Sequence, residues 1–376
     1  MHAGFYMKKI NILYLVSTLK KSGPINILYG IVNGLDKEKF TVIIASLSSE
    51  KSNSMRKQFQ HIGCEIYDLN NSRLKGLLKN QKIIQKLVDQ KRIQLCHSHG
   101  LRADAINSKL KRVISFTTIH NIPYEDYPMK FGEIKGALMA AKHLKVISKI
   151  DHSVACSQWI GNWFSTKEGI ETAVISNGII TTDFQKSDDR IQTRQIISGL
   201  PEYKKIMLAS GSLIKRKDPE TIIKAFHLLN RNDIALLFIG SGELEEGLSI
   251  QYESTNILFK GEVKNVYDYL NQSDYFVSAS LSEGLPNSVL EAISMELPVL
   301  LSDISSHKEI VGDNYPFLFK ATDVVDLKDK MVELIDQKND ALPESFSNRV
   351  NELFEADEMA VKYESLYLGQ CQITEN

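Results

Sequence analysis

Two carboxylates, Glu283 and Glu291, stand eight residues apart, with Gly284, Leu285 and Pro286 following the first of them. Gly284 and Pro286 break the strand-like run that precedes them. Asn287 or Ser288 can cap a helix that continues through Val289, Leu290, Ala292 and Ile293. Glu283 then precedes the helix and Glu291 lies inside it. A carboxylate accepts two hydroxyl donors well, and the first amides of a helix have no partner within it, so they favour an anion or a cluster of hydroxyls. An arbitrary acidic pair usually faces solvent, but the turn and flanking strand make this pair the outline of a ligand site.

The segment resembles the E-x7-E signature of retaining nucleotide-sugar glycosyltransferases with the GT-B fold, specifically glycosyltransferase family 4. Four further segments resemble that family in the same order along the chain. They are Thr118-Ile119-His120-Asn121, Ser176-Asn177-Gly178-Ile179, the loop from Gly211 and Ser212 to Lys215, Arg216, Lys217 and Asp218, and the run from Leu297 to Asp303 followed by Glu309.

The resemblance implies an α/β, GT-B fold of two Rossmann-like doubly wound domains facing each other across a cleft. It also implies retaining transfer from a nucleotide-diphosphate sugar, UDP- or GDP-linked, to a hydroxyl acceptor. By position, Glu291 would accept the ribose hydroxyls and Glu283 the hydroxyls of the transferred sugar, with a nucleophilic role for Glu283 left open. Lys217, with Gly211 beside it in the loop, matches the family's lysine on the donor diphosphate. Where the family commonly has arginine after that glycine, this chain has Ser212, and Arg216 or Lys215 could replace part of the charge. Gly23 marks a loop that the family brings close to the phosphates. Gly240, Gly261 and Val263 follow strands where the fold holds the nucleobase, and Gly284 through Val289 complete the expected donor contacts. His120 aligns with a histidine that approaches the transferred sugar.

No cofactor beyond the donor is expected. The chain has no Asp-x-Asp pair, so transfer should be metal-independent. His97 and His99 have the spacing of two metal ligands, but no third is obvious. The expected acceptor is a lipid-linked saccharide of a bacterial surface polysaccharide. A nucleotide-sugar epimerase of similar fold and a non-catalytic nucleotide-sugar scaffold are the rival readings, Ser212 being the best argument for the scaffold.

These residues need two alternating strand–helix halves to position them. Strands are expected at 10–16, 41–45, 95–97, 113–117, 152–155 and 172–175, then at 205–209, 235–239, 257–259, 275–278 and 299–301. A first domain is expected over 1–180, completed by a returning C-terminal helix within 352–376, and a second over 181–351. Residues 181–204 read as a linker with a short helix.

At 376 residues and 43% hydrophobic, the chain can build two cores. No apolar run reaches the roughly 18 residues needed to cross a bilayer, and the apolar run 10–16 leads into polar residues rather than a small-residue cleavage site, so a cytoplasmic protein is expected. The first six residues read separately as a leader before Met7. Four scattered cysteines read as reduced thiols. The net charge of -1 hides an imbalance: residues 1–180 carry 26 Lys+Arg against 13 Asp+Glu, and the remainder 19 against 33. A basic first half points to a phosphate-bearing partner, either an anionic membrane face, with the protein peripheral at the inner face of the plasma membrane, or a lipid-diphosphate acceptor. Nucleic acid is disfavoured because no zinc-finger spacing, basic repeat or stacking pattern occurs. The stretch 129–149 reads as one basic amphipathic helix.

Overall fold

The computed structural model describes residues 9–50, 53–70, 77–180, 205–337 and 344–373. The expected linker at 181–204 and the leader before Met7 lie outside the described residues. The chain divides into two compact units, one of residues 1–128, 133–178 and 356–376, the other of 129–132 and 179–355.

Each unit is built on a parallel sheet. In the first, the strand order is β3-β2-β1-β4-β5-β6-β7, with β1 at Ile10–Val16, β2 at Phe40–Ser46, β3 at Glu65–Asp68, β4 at Leu95–Ser98, β5 at Ile114–Ile119, β6 at His152–Ala155 and β7 at Ala173–Val174. In the second it is β10-β9-β8-β11-β12-β13, with β8 at Lys205–Ser210, β9 at Ile234–Ile239, β10 at Ile257–Phe259, β11 at Tyr275–Ser278, β12 at Val299–Ser302 and β13 at Leu318–Phe319. Both faces of such sheets are covered by helices, which is why the strands read as nearly unbroken apolar runs. Ile12 to Leu15 and Ile234 to Leu237 are fully buried.

The order reverses between β1 and β4 in one sheet and between β8 and β11 in the other. At such a point the loops leaving the carboxyl ends of the two central strands diverge and leave a crevice, the usual ligand position in open α/β sheets. Gly23 and His99 follow the central strands of the first unit. Lys217 and Glu283 follow those of the second.

The C-terminal helix belongs to the first unit. It runs from Ala356 to Ile373 and packs along helix α1 (Gly23–Gly34). The approach is close: a Cβ added at Gly34 would lie 2.5 Å from the Ala360 methyl, and one at Gly30 would lie 3.2 Å from Met359 Cε. The helix also sends Tyr363 and Tyr367, both fully buried, into the core beneath β1, β4 and β5.

Several elements differ from the expectation. Strands β3 and β13 are short and lie at sheet edges, so their patterns are weak. The stretch 129–149 is not one helix: one helix ends at Phe131, Gly132 takes a φ of +84°, and a second runs over Glu133–Ile147. A residue with a side chain is strained at that φ, so glycine sets the break. The final helix, expected from Glu352, starts at Ala356 and runs to Ile373, after a separate helix Glu344–Leu353. The helix Asn287–Ser294 has Pro286 at its N-cap and no side-chain cap, so neither Asn287 nor Ser288 has the capping role expected of it.

Candidate functional site

The loop after β8 holds its cations through a tight local fold. Beyond Gly211 and the solvent-exposed Ser212, residues Lys215–Lys217 form one 3-10 turn, closed by the Lys217 amide on the Ile214 carbonyl at 2.9 Å. Asp218 ends the turn in the left-handed region, which its short polar side chain tolerates. It also starts the next helix, Pro219–Leu229: its Oδ2 accepts from Thr221 Oγ1 at 2.6 Å, and Pro219 occupies the first turn, where a missing N–H costs nothing. Arg216 and Lys217 are thereby fixed at the carboxyl edge of the sheet.

Strand β11 is the neighbour of β8, so its loop brings Glu283 to the same place. Glu283 is buried and ionically paired twice, its Oε2 2.6 Å from Arg216 Nη1 and its Oε1 2.6 Å from Lys217 Nζ. Ser280 Oγ also donates to Oε1 at 2.9 Å. Arg216 binds the loop from both ends, donating through Nη1 to the Ser282 carbonyl and accepting the Leu281 amide at its own carbonyl. Burial alone would raise the Glu283 pKa, but Lys217 and Arg216 outweigh it and hold the carboxyl well below the usual carboxylate range.

His307 lies behind this cluster, fully buried. Its Nδ1 faces the Ser302 carbonyl at 2.9 Å, and Ser302 Oγ donates to the Ser280 carbonyl at 2.6 Å. Burial lowers the His307 pKa to about 4, so the ring is neutral at pH 7. Sequence reasoning missed Ser280, Ser302 and His307, because each acts by supporting the loop that carries Glu283 and none forms a spacing pattern with it.

Gly284, Leu285 and Pro286 are buried between Glu283 and the helix start, Asn287 and Ser288 are half-buried, and Glu291 lies one turn further on, half-buried. Val289 is fully buried and its amide donates to the Pro286 carbonyl at 3.1 Å. Among the expected donor contacts, Val289 is thus a core residue with its N–H already used. A recess beside the cations is lined by Gly211, Ser212, Leu213, Lys217, Val277 and Ser278.

Gly240 and Gly261 are coupled, the Gly240 amide donating to the Gly261 carbonyl at 2.7 Å. Gly240 has a φ of +120°, and a Cβ there would meet the Gly211 carbonyl oxygen at 2.0 Å. Glycine is therefore required for the β8 and β9 loops to touch. Val263 follows, half-buried.

In the first unit, Gly23 opens helix α1 and is exposed. His120 follows β5 and its Nε2 lies 2.9 Å from His99 Nδ1, the two rings stacked. Burial lowers the His120 pKa to about 4. His99 stacks in turn on His97 at 4.9 Å between centroids. Both ring nitrogens of His97 are used, Nδ1 with Tyr367 Oη at 2.6 Å and Nε2 with Thr118 Oγ1 at 2.8 Å. That leaves His97 no lone pair for a metal, and it places Thr118, from the same segment as His120, in an interior network with Tyr363. Among the described residues no group of three or more His, Cys, Asp or Glu is arranged to hold a metal ion.

Comparison with known proteins agrees with this architecture. Residues 23–183 match the family described as Glycosyltransferase Family 4, and residues 191–353 match Glycosyl transferases group 1. The O-antigen biosynthesis glycosyltransferase WclY of Escherichia coli is 22% identical over 95% of this chain and 98% of its own. An E. coli UDP-Gal:alpha-D-GlcNAc-diphosphoundecaprenol alpha-1,3-galactosyltransferase is 23% identical over 70% of this chain and 72% of its own. Among solved structures, sucrose-phosphate synthase from Thermosynechococcus elongatus superposes with a TM-score of 0.82 over 96% of this chain and all of its own, at 17% identity. Anabaena HepE in complex with UDP and glucose gives 0.80 over 95% and 99%, at 15% identity. At these identities the superpositions speak for the fold alone, and the sequence matches speak for descent. With one family description falling on each unit, the chain belongs to the family 4 glycosyltransferases of the GT-B fold.

Proposed function

We propose that the protein transfers a sugar from a UDP-sugar, with retention and without a metal ion, to a hydroxyl of a lipid-linked saccharide in bacterial surface polysaccharide assembly. The observation that carries this reading is the pair of cations fixed on Glu283 at the switch point of the second sheet, beside a helix start with no side-chain cap. Lys217 and Arg216 supply positive charge where a departing diphosphate needs it, and preorganised charge of this kind is commonly the largest single contribution to catalysis. With both carboxylate oxygens engaged by cations, Glu283 is a poor nucleophile, which favours a positioning role in a front-face displacement. Glu291 then takes the ribose hydroxyls and His120 a hydroxyl of the transferred sugar. The uridine donor is suggested by HepE, solved with UDP and UDP-glucose. The acceptor class is suggested by the E. coli enzyme whose acceptor is a diphosphoundecaprenol-linked sugar.

Calorimetric titration with UDP and with GDP in EDTA tests the donor. UDP should bind and GDP should bind at least about tenfold more weakly, a difference of about 1.4 kcal/mol. Equal binding, or binding only with a divalent cation, would refute this part. The stereochemistry is read by proton NMR during slow hydrolysis of an α-linked UDP-sugar, where the α-anomer should appear first. Initial β-anomer would mean inversion.

A further inference from the structure

Helix Glu133–Ile147 of the first unit has two unlike sides. Gly136, Ala140, His143, Leu144 and Ile147 are buried. His143 anchors that side, its Nε2 2.6 Å from Asp104 Oδ2 and its Nδ1 2.7 Å from Tyr127 Oη, with Asp104 itself buried and held by Ser98 and Thr117. On the opposite side, Ile134, Leu138, Lys142 and Lys145 succeed one another at four, four and three residues, so they form one stripe, and Lys135 lies beside it. Ile134 is 82% exposed and Leu138 69% exposed, and all three lysines are exposed. The helix's one acidic residue, Glu133, stands in its first turn, outside the stripe.

We propose that this face seats the enzyme on an anionic bilayer, Ile134 and Leu138 entering the headgroup boundary while Lys135, Lys142 and Lys145 meet lipid phosphates. A lysine-only rim around adjacent exposed aliphatic side chains matches the charge of such a surface, and long lysine stems let the ammonium groups stay at headgroup level. An anionic bilayer engages both, the aliphatic pair in its headgroup boundary and the lysines at its phosphates. No described helix is long and apolar enough to cross a membrane, so attachment through this face would be peripheral. The proposal deepens the functional reading above, since a lipid-linked acceptor is presented at that surface.

The test is co-sedimentation of the full chain with phosphatidylglycerol-containing vesicles and with vesicles of phosphatidylcholine alone. Wild type should bind the first at least about tenfold more strongly and release in high salt. The variants I134S/L138S and K135E/K142E/K145E should each lose at least about tenfold in binding while keeping wild-type melting temperature and UDP binding. Absent or charge-independent vesicle binding by wild type, or full binding by both variants, would overturn the proposal. So would a change in oligomeric state of the apolar variant without a change in vesicle binding, which would assign the face to a second copy. UDP titration of the same samples separates the two readings: intact UDP binding without vesicle binding sinks only the membrane face, and vesicle binding without UDP binding sinks only the donor site.

Discussion

Glu283, Arg216 and Lys217 share one small, largely buried volume, so each depends on the charge of the others. Glu283→Gln would keep the shape of the side chain but leave Arg216 and Lys217 facing a neutral amide. Breaking a largely buried pair in this way costs about 3 kcal/mol, so the variant should melt clearly below wild type by calorimetry. An unchanged melting temperature would show that the two ion pairs are dispensable. The buried histidines make a second prediction. His97 and His307 have pKa values lowered by burial to about 3 and about 4, below the unfolded value near 6.5. Between those limits the unfolded chain binds more protons than the folded one, so stability present at neutral pH is lost as pH falls below about 6.5. The slope approaches about 1.4 kcal/mol per group for each pH unit. Urea titrations at pH 7 and pH 5 check this, and equal midpoints would contradict it. Glu283 adds to the acid side in the same sense, since a carboxyl with a depressed pKa stabilises above the ordinary carboxylate range and loses that contribution below it.

At the scale of elements, close backbone approaches set the positions of the loops. Gly34→Val would push side-chain atoms into Ala360 and part helix α1 from the C-terminal helix. Overpacking of that kind costs about 1–3 kcal/mol. Because Tyr367 and Tyr363 of that helix hold His97 and Thr118, the variant should also disturb His97, seen as a shifted imidazole resonance in NMR. Gly240→Ala combines a left-handed φ with a 2.0 Å approach to the Gly211 carbonyl. It should therefore destabilise the second unit by at least about 2 kcal/mol and weaken UDP binding by displacing the Gly211 loop. A stable Gly240→Ala protein with normal UDP binding would show that the β8 and β9 loops do not need this contact.

At the scale of the whole molecule, what the sequence made legible follows from the range of each interaction. The buried parallel strands are apolar runs bounded by glycine, proline and polar residues, so Ile10–Val16, His152–Ala155 and Tyr275–Ser278 could be read to the residue, as could the apolar edge strand Ile257–Phe259. Edge strands β3 and β13 bury less and carried no such signal. Lys217 and Glu283 could be read as residues of strand-to-helix loops and Glu291 as a helical residue, since each placement rests on local turn and helix signals. The pairing of Arg216 and Lys217 with Glu283 was not legible, since it joins residues 66 or more apart through the adjacency of β8 and β11. The histidine ladder was half legible: His97, His99 and His120 stand at strand ends, but Tyr363 and Tyr367 reach them from a helix at the far end of the chain. Charge was legible as a surplus in the first half, and became a face only once Gly132 separated the two helices and turned Ile134 and Leu138 outward.

Release of UDP from UDP-sugars in EDTA, measured for wild type and for the folded Lys217→Ala variant, reads the role of this cluster directly. The cation at Lys217 should be worth at least about 100-fold in turnover, as for other preorganised charges at a leaving group. Wild type should therefore release UDP and the variant should fall below about one per cent of that rate. Equal rates from the two proteins, or no UDP release from any UDP-sugar by wild type, would contradict the assignment of this cluster as the donor site.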